Sequence, residues 1–427
     1  MSILVFVCEC IILNILKEQG IDPISNILAS FFIILFSIAL IFDLCRSSVL
    51  ESFSNSILLG YLLRVGLLYF DRFGQWIYYL PNSGADSETF YYNALWQATG
   101  QPYRRSASFI TLFKYIFSII GTNRLMGQFI ILLFSIVSLV FLAMALSFVD
   151  VEESNKIRVM RIVALLPNYA ILSSIFLRES IVCMFITISL FFFIRYLYGF
   201  SLINVILATL AVFLGMIYHS GVAGIIIGYL VVLVIFDRER NTFRLSSSNM
   251  FVAMILGVFF AYLYIKYGDV LFSKFANVDS LSDIANTSEY GGTSYARYVG
   301  NSGSIYSMAL FTIPRFMFFL FSPFPWQWRG IKDIIAFMFS SMYYLSAIIA
   351  LFKYLKKGDA QNKNVVIVLS IIAFCVIFIF AWGTANTGTA ARHREKIVSL
   401  IALILANCLS VKEGNNKSFR YIYKRDI

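Results

Sequence analysis

The sequence predicts an all-α, polytopic integral membrane protein of about twelve transmembrane helices, or thirteen if residues 306–324 also cross. Three observations carry that class. The chain is 59% hydrophobic and 13% charged, whereas a soluble domain is about a quarter charged. Its mean hydropathy is +0.80, and apolar stretches long enough to cross a bilayer recur along all 427 residues. Phe (43) and Tyr (25) are abundant, as lipid-facing and interfacial helix surfaces require. This composition excludes an ordinary cytosolic enzyme, a disordered chain, a disulfide-rich secreted module and a coiled coil.

The apolar segments follow one another with few interruptions. Segment 2–17 has no polar n-region and small-residue cleavage site before it, so it reads as a retained first helix. Segments 26–45 and 56–78 precede a long polar stretch, 79–124. Then come 125–148, 160–176, 180–198, 202–217, 220–236 and 250–268, a second long loop at 269–305, and finally 332–353, 364–384 and 395–411. The remaining candidate, 306–324, holds Pro314 and Arg315 and is expected to lie in the interface or to re-enter from the outer side.

Basic residues in short loops set the orientation. Loops 149–161, 237–247 and 353–363 and the tail 412–427 are basic and read as cytoplasmic, with both termini inside. The net charge of +11 therefore reports topology, and no nucleic-acid partner is expected. On the other side fall 79–124, the turn at Arg178-Glu179, the turn at His219, 269–305 and 385–394. Within 79–124, residues 108–120 (SFITLFKYIFSII) form an amphipathic segment suited to a surface helix. All six cysteines lie in or beside apolar segments and none has metal-ligand spacing with a histidine, so neither a disulfide framework nor a zinc site is expected.

The unusual polar residues gather on that outer side. Asp86 and Glu88 form a D-x-E in a loop, suited to a general base with a helper or to a shared divalent ion, or to nothing beyond ordinary loop acidity. Arg178 and Glu179 sit between two helices with almost no loop to carry them, where charges are costly and usually partnered. They suit either a local ion pair or a phosphate site. His219 and His393 are the only histidines. Arg392, His393, Arg394, Glu395 and Lys396 open the last apolar segment. Cations at a helix N-terminus oppose the macrodipole, an arrangement that makes sense with a phosphate or a lipid headgroup between them. Residues 322–329 (SPFPWQWR) place Trp326 and Trp328 where they suit an interfacial belt or a saccharide platform. No Walker, Rossmann, H-E-x-x-H or G-x-S-x-G motif occurs.

Two resemblances follow from these motifs. The stretch LPNSGADSETFYYNALWQATGQPYRRSASFITLFKYIFSIIGTNRLMGQFI resembles the first external loop of GT-C glycosyltransferases, with a catalytic acid, an aromatic helix, Gly-x-Pro-Tyr, a surface helix and a G-x-x-R-L. LLPNYAILSSIFLRES is similar to the second external loop of that class, and RHREKIV to the Arg-containing start of a late helix. The succession LRESIV, YHSG and SPFPW resembles Wzy-type polymerases of O-antigen, capsule and exopolysaccharide repeat units. Together these stretches cover about a third of the chain. The chain departs from the pattern in its Arg-Glu pair, in the two helices added before the Asp86 loop, and in lacking a proline in the late motif.

The resemblance implies a bacterial inner-membrane glycosyltransferase with its site on the periplasmic face. It would polymerise undecaprenyl-pyrophosphate-linked repeat units, alone or beside other polysaccharide-assembly proteins. Asp86 would be the base, aided by Glu88 and Glu179. Arg178, Arg392 and Arg394 would hold pyrophosphate, and His219, His393, Trp326 and Trp328 would shape the acceptor and sugar site. No organic cofactor is implied, and a divalent cation is left open. The alternatives are a GT-C transferase adding one sugar from a polyprenyl-phosphate donor and, from another class, a transporter of lipid-linked saccharide. Transporters place polar residues near the bilayer midplane.

Overall fold

A computed structural model describes residues 1–19, 25–48, 50–104, 106–245, 247–271, 294–299, 305–357 and 360–409. The tail 412–427 and most of the loop 269–305 lie outside the described residues. The described chain is helical apart from a two-residue ribbon, β1 (Phe236–Asp237) paired antiparallel with β2 (Thr242–Phe243).

The helices are α1 (Ser2–Glu18), α2 (Asn26–Arg46), α3 (Glu51–Phe73), α4 (Ala85–Ala98), α5 (Ser108–Ile120) and α6 (Arg124–Ser147). Then follow α7 (Glu153–Leu165), α8 (Pro167–Leu172), α9 (Glu179–Leu197), α10 (Ile203–Tyr218), α11 (Ala223–Ile235) and α12 (Ser247–Leu271). The last part has α13 (Ala296–Val299), α14 (Ile305–Phe321), α15, α16 (Ala360–Trp382), α17 (Thr387–Glu395) and α18 (Val398–Cys408). Helix α15 runs Ile331–Ile335, through a π turn at Ala336–Ser341, and on through Met342–Lys357.

Among the described residues, six helices are long and apolar enough to cross a membrane: α2, α3, α6, α9, α15 and α16. Their neighbours turn apolar stripes outward. On α10, Ile203, Ile206, Leu210, Leu214 and Ile217 are all exposed at helical spacing, and α12 exposes Met250, Met254, Val258, Tyr262 and Ile265. Water would oppose such stripes, whereas lipid accepts them. The protein is membrane-embedded.

Inside the bundle, small residues and hydroxyls join the helices, as they do where lipid removes the hydrophobic drive to associate. Ser138, Thr187 and Ser399 link α6, α9 and α18 through contacts of 2.8 and 2.7 Å. On α11, a Cβ at Gly224 or Gly228 would lie 2.6 or 2.8 Å from the backbone of α16, so glycine permits that close approach.

Two predicted spans are broken. Segment 160–176 is not one helix: α7 stops at Leu165, Pro167 starts α8, and residues 173–178 are irregular. Proline cannot donate to the preceding turn, so carbonyls are freed in an apolar setting. The fully buried Arg64 of α3 answers one of them, donating to Ala164 O (2.6 Å), and it also donates to Ser173 Oγ (2.9 Å) beyond α8 and to Gly60 O (2.9 Å) of its own helix. Segment 395–411 is likewise divided into α17 and α18. Arg392, His393 and Arg394 therefore occupy the last turn of α17. There they complement the dipole's negative end, which removes the dipole argument for an anion at a helix start. Segment 56–78 also shifts, since α3 starts at Glu51 and stops before Gly74.

The segment 306–324 is formed by α14. Just upstream of it, Tyr295 N donates to Ala385 O (2.8 Å), and at its end Leu320 O and Ser322 O accept from Arg394. Both flanks thus contact residues 385–394.

Hydrogen bonds gather the basic loops at one end of the bundle. Asn362 donates to Asp150 O, Asn364 to Asn241 O, and Arg238 to Tyr196 O and Phe200 O. Glu179 lies at the opposite end of α9, whose 19 residues span about 28 Å at 1.5 Å per residue, close to the thickness of a hydrocarbon core.

Candidate active site

Three distant parts of the chain converge on Arg392. Its Nε and Nη2 donate to Glu179 Oε1 at 3.1 and 2.9 Å, and its Nη1 donates to Asp86 Oδ2. Each acid is positioned by a local device. Gly84 adopts φ +105°, a conformation open to glycine, and its N–H donates to Ser87 Oγ, so α4 starts with Asp86 in its first turn. Helix α9 begins at Glu179. Asn386 caps α17 by accepting from Gly388 N and Thr389 N, which aims the helix toward α9.

The two acids differ in burial. Asp86 is 54% exposed in its side chain, whereas Glu179 is 2% exposed. Behind Glu179 lies the fully buried Lys396, with Nζ at 3.8 Å from Glu179 Oε1. Among the described residues neither Lys396 Nζ nor Glu179 Oε2 has a hydrogen-bond partner. Arg178 donates to Tyr218 O at 3.1 Å and adds a third cation. Burial pulls the Arg392 guanidinium down, but Glu179 and Asp86 outweigh it and hold the group above its usual range. The open edge of the cluster is at Asp86.

The two histidines meet directly, their Nε2 atoms 3.1 Å apart. Gly221 N–H donates to His219 Nδ1 (3.2 Å), so His219 carries its proton on Nε2 and donates to His393 Nε2. His393 Nδ1 then donates to Thr384 Oγ1 (3.0 Å). Both rings are buried and flank Phe380. They pin α17 to the end of α10, one residue from Arg392, and are shut off from the cluster's rim. They position the site and offer no open face to a sugar.

Other expected members face elsewhere. Glu88 forms a bidentate pair with Arg124 (2.6 and 2.5 Å), which also lies 3.9 Å from Asp71. Asp86 and Glu88 therefore bind different arginines and do not converge on one cation. Arg394 is fully buried and donates to Ser340 Oγ (2.9 Å), Leu320 O and Ser322 O. It secures the end of α14 against α15. Trp328 donates to Pro323 O (3.1 Å), which folds the 322–329 turn on itself, while Trp326 is 68% exposed and stacks on Phe324 at 4.7 Å. Of the two, Trp326 presents the open ring.

The expected surface helix 108–120 is α5, and its docking supports the site. Phe109, Phe113 and Phe117 all contact the ring of Phe176 at 4.7–6.0 Å, fixing the irregular turn that leads to Arg178. Gly127 makes room, since a Cβ there would lie 2.9 Å from Phe176. Sequence reasoning missed Arg64 as a site support, and it named Arg124 and Lys396 only within their motifs, without their acidic partners. Only the rarity of charge inside apolar segments could have flagged Arg64.

Comparison of the chain with protein-family models, with curated proteins and with solved structures finds no match.

Proposed function

We propose that this protein is a GT-C-like, Wzy-type membrane glycosyltransferase that polymerises undecaprenyl-pyrophosphate-linked repeat units at the outer face of a bacterial inner membrane. One observation carries the reading: Asp86, Glu179 and Arg392 form one linked cluster at the end of the bundle opposite the basic loops. The positive-inside rule then puts the basic end in the cytoplasm and the cluster outside, with about twelve crossings and both termini inside.

In the proposed reaction Asp86 takes the proton of an acceptor hydroxyl, whose oxygen attacks the anomeric carbon of the donor glycan. The bond from that carbon to the pyrophosphate breaks, and undecaprenyl pyrophosphate leaves. Arg392 and Arg178 stabilise the charge that builds on the leaving group, and Glu179 holds Arg392 in place. The energy resides in the glycosyl–pyrophosphate bond that is broken, so the absence of a nucleotide motif is in keeping with the reaction. Trp326 offers a ring face for stacking a sugar. Acceptor and donor both arrive as lipid-linked oligosaccharides from the bilayer.

The test is complementation of a deletion strain, with surface glycan resolved on a gel. Wild type gives a ladder, and Asp86→Asn and Arg392→Ala give a single repeat unit. Full-length glycan lacking one sugar in the deletion strain would assign a single-sugar transferase. A normal ladder and sugar composition from both variants would overturn the site and favour a transporter.

A further inference from the structure

The contacts of Arg392 imply a device within this site, and the inference rests on the reading that the cluster binds pyrophosphate. All three nitrogens of the guanidinium are engaged by carboxylates, Nε and Nη2 by Glu179 and Nη1 by Asp86. Three of its five N–H donors are thus taken, and an incoming pyrophosphate must share Arg392 with both acids or displace one of them. The two acids are unequal competitors. Glu179 is 2% exposed, and withdrawing it would strand the buried Lys396, 3.8 Å away, as well as Arg392. Asp86 is 54% exposed and stands in the first turn of α4, free to turn toward solvent without unfolding anything. A buried pair is costly to break, and an exposed pair is worth little.

We infer that the Asp86–Arg392 pair is a self-blocking contact that donor binding exchanges: the pyrophosphate displaces the Asp86 carboxylate from Nη1, while Glu179 keeps Arg392 aimed. The exchange couples two events. With no donor bound, Asp86 is neutralised by Arg392 and its paired oxygen is unavailable to an acceptor hydroxyl. Once phosphate oxygens take its place, Asp86 is released as a free carboxylate beside the newly bound donor. The base is thus delivered only when there is a donor to react with, which limits attack by the wrong nucleophile at an empty site.

The expectation is counterintuitive, because a variant lacking the proposed base should bind the leaving group better. The probe is inorganic pyrophosphate, titrated calorimetrically into the purified full-length protein in detergent at fixed ionic strength. Wild type is compared with Asp86→Asn, Asp86→Ala, Glu88→Gln and Arg392→Gln. Removing an exposed competing carboxylate should tighten pyrophosphate binding by about fivefold in both Asp86 variants. Glu88→Gln, which removes a nearby charge engaged with Arg124, should leave the affinity near that of wild type, and Arg392→Gln should abolish binding.

Other results count against the inference. If the Asp86 variants bind as weakly as wild type or more weakly while Arg392→Gln abolishes binding, the phosphate site stands and the exchange is wrong. If Glu88→Gln tightens binding as much as Asp86→Asn, a general field effect replaces the exchange. If pyrophosphate binds neither wild type nor the Asp86 variants, the phosphate reading of the cluster fails and the exchange falls with it.

Discussion

His219 Nε2 lies 3.1 Å from His393 Nε2, so the chain's two histidines, 174 positions apart, form one hydrogen-bonded pair between α10 and α17. With Gly221 donating to one ring and Thr384 accepting from the other, the pair is a clamp that fixes α17 one residue from Arg392. His219→Ala leaves a buried partner unsatisfied and should cost about 1–3 kcal/mol. The double variant His219→Ala/His393→Ala should cost less than the sum of the singles, because the second change removes a group already stranded. Thermal melts of the four proteins in detergent check this, and strict additivity would mean the rings do not interact.

Glu179 is the anchor of the cluster. Glu179→Gln leaves the buried Lys396 without its acid and Arg392 with Asp86 alone, and it should lower stability by about 3–5 kcal/mol. Adding Lys396→Met should restore part of that loss, since one stranded charge becomes an apolar side chain of similar length. Chemical denaturation of wild type, both singles and the double shows whether the two changes offset each other. If the double is less stable than Glu179→Gln alone, Lys396 is not balanced by Glu179.

Arg64 closes the break between α7 and α8. Three buried acceptors depend on it, so Arg64→Met should destabilise the protein on the order of 3 kcal/mol. Arg64→Lys should rescue little, because one ammonium cannot reproduce the fork to Gly60, Ala164 and Ser173. Melting temperatures of the two variants decide this; full rescue by lysine would show that charge and not geometry is what the break requires.

The class of the protein and the end-grouping of its polar residues were legible in the sequence, because apolar length and basic loops are local properties. The partners of those residues were not. Asp86 and Glu88 looked like one carboxylate pair, yet α4 includes both, and positions i and i+2 of a helix point about 200° apart. The same geometry separates Arg392, which faces Glu179, from Arg394, which faces the end of α14. It also brings Lys396, at i+4, to the side of Arg392. Pro167 was a visible signal of the break in 160–176, whereas Ile397 carries no residue signal for the break before α18. The convergence of Asp86 and Glu179 on Arg392 spans 306 and 213 positions, beyond the reach of any local pattern.

The most direct test of the central claim uses purified protein in liposomes with a lipid-linked repeat unit as both donor and acceptor. The account predicts a ladder of products from wild type, one undecaprenyl pyrophosphate released per bond formed, and single units only from Asp86→Asn and Arg392→Ala. A ladder from either variant, or chain growth without release of the pyrophosphate lipid, would contradict it.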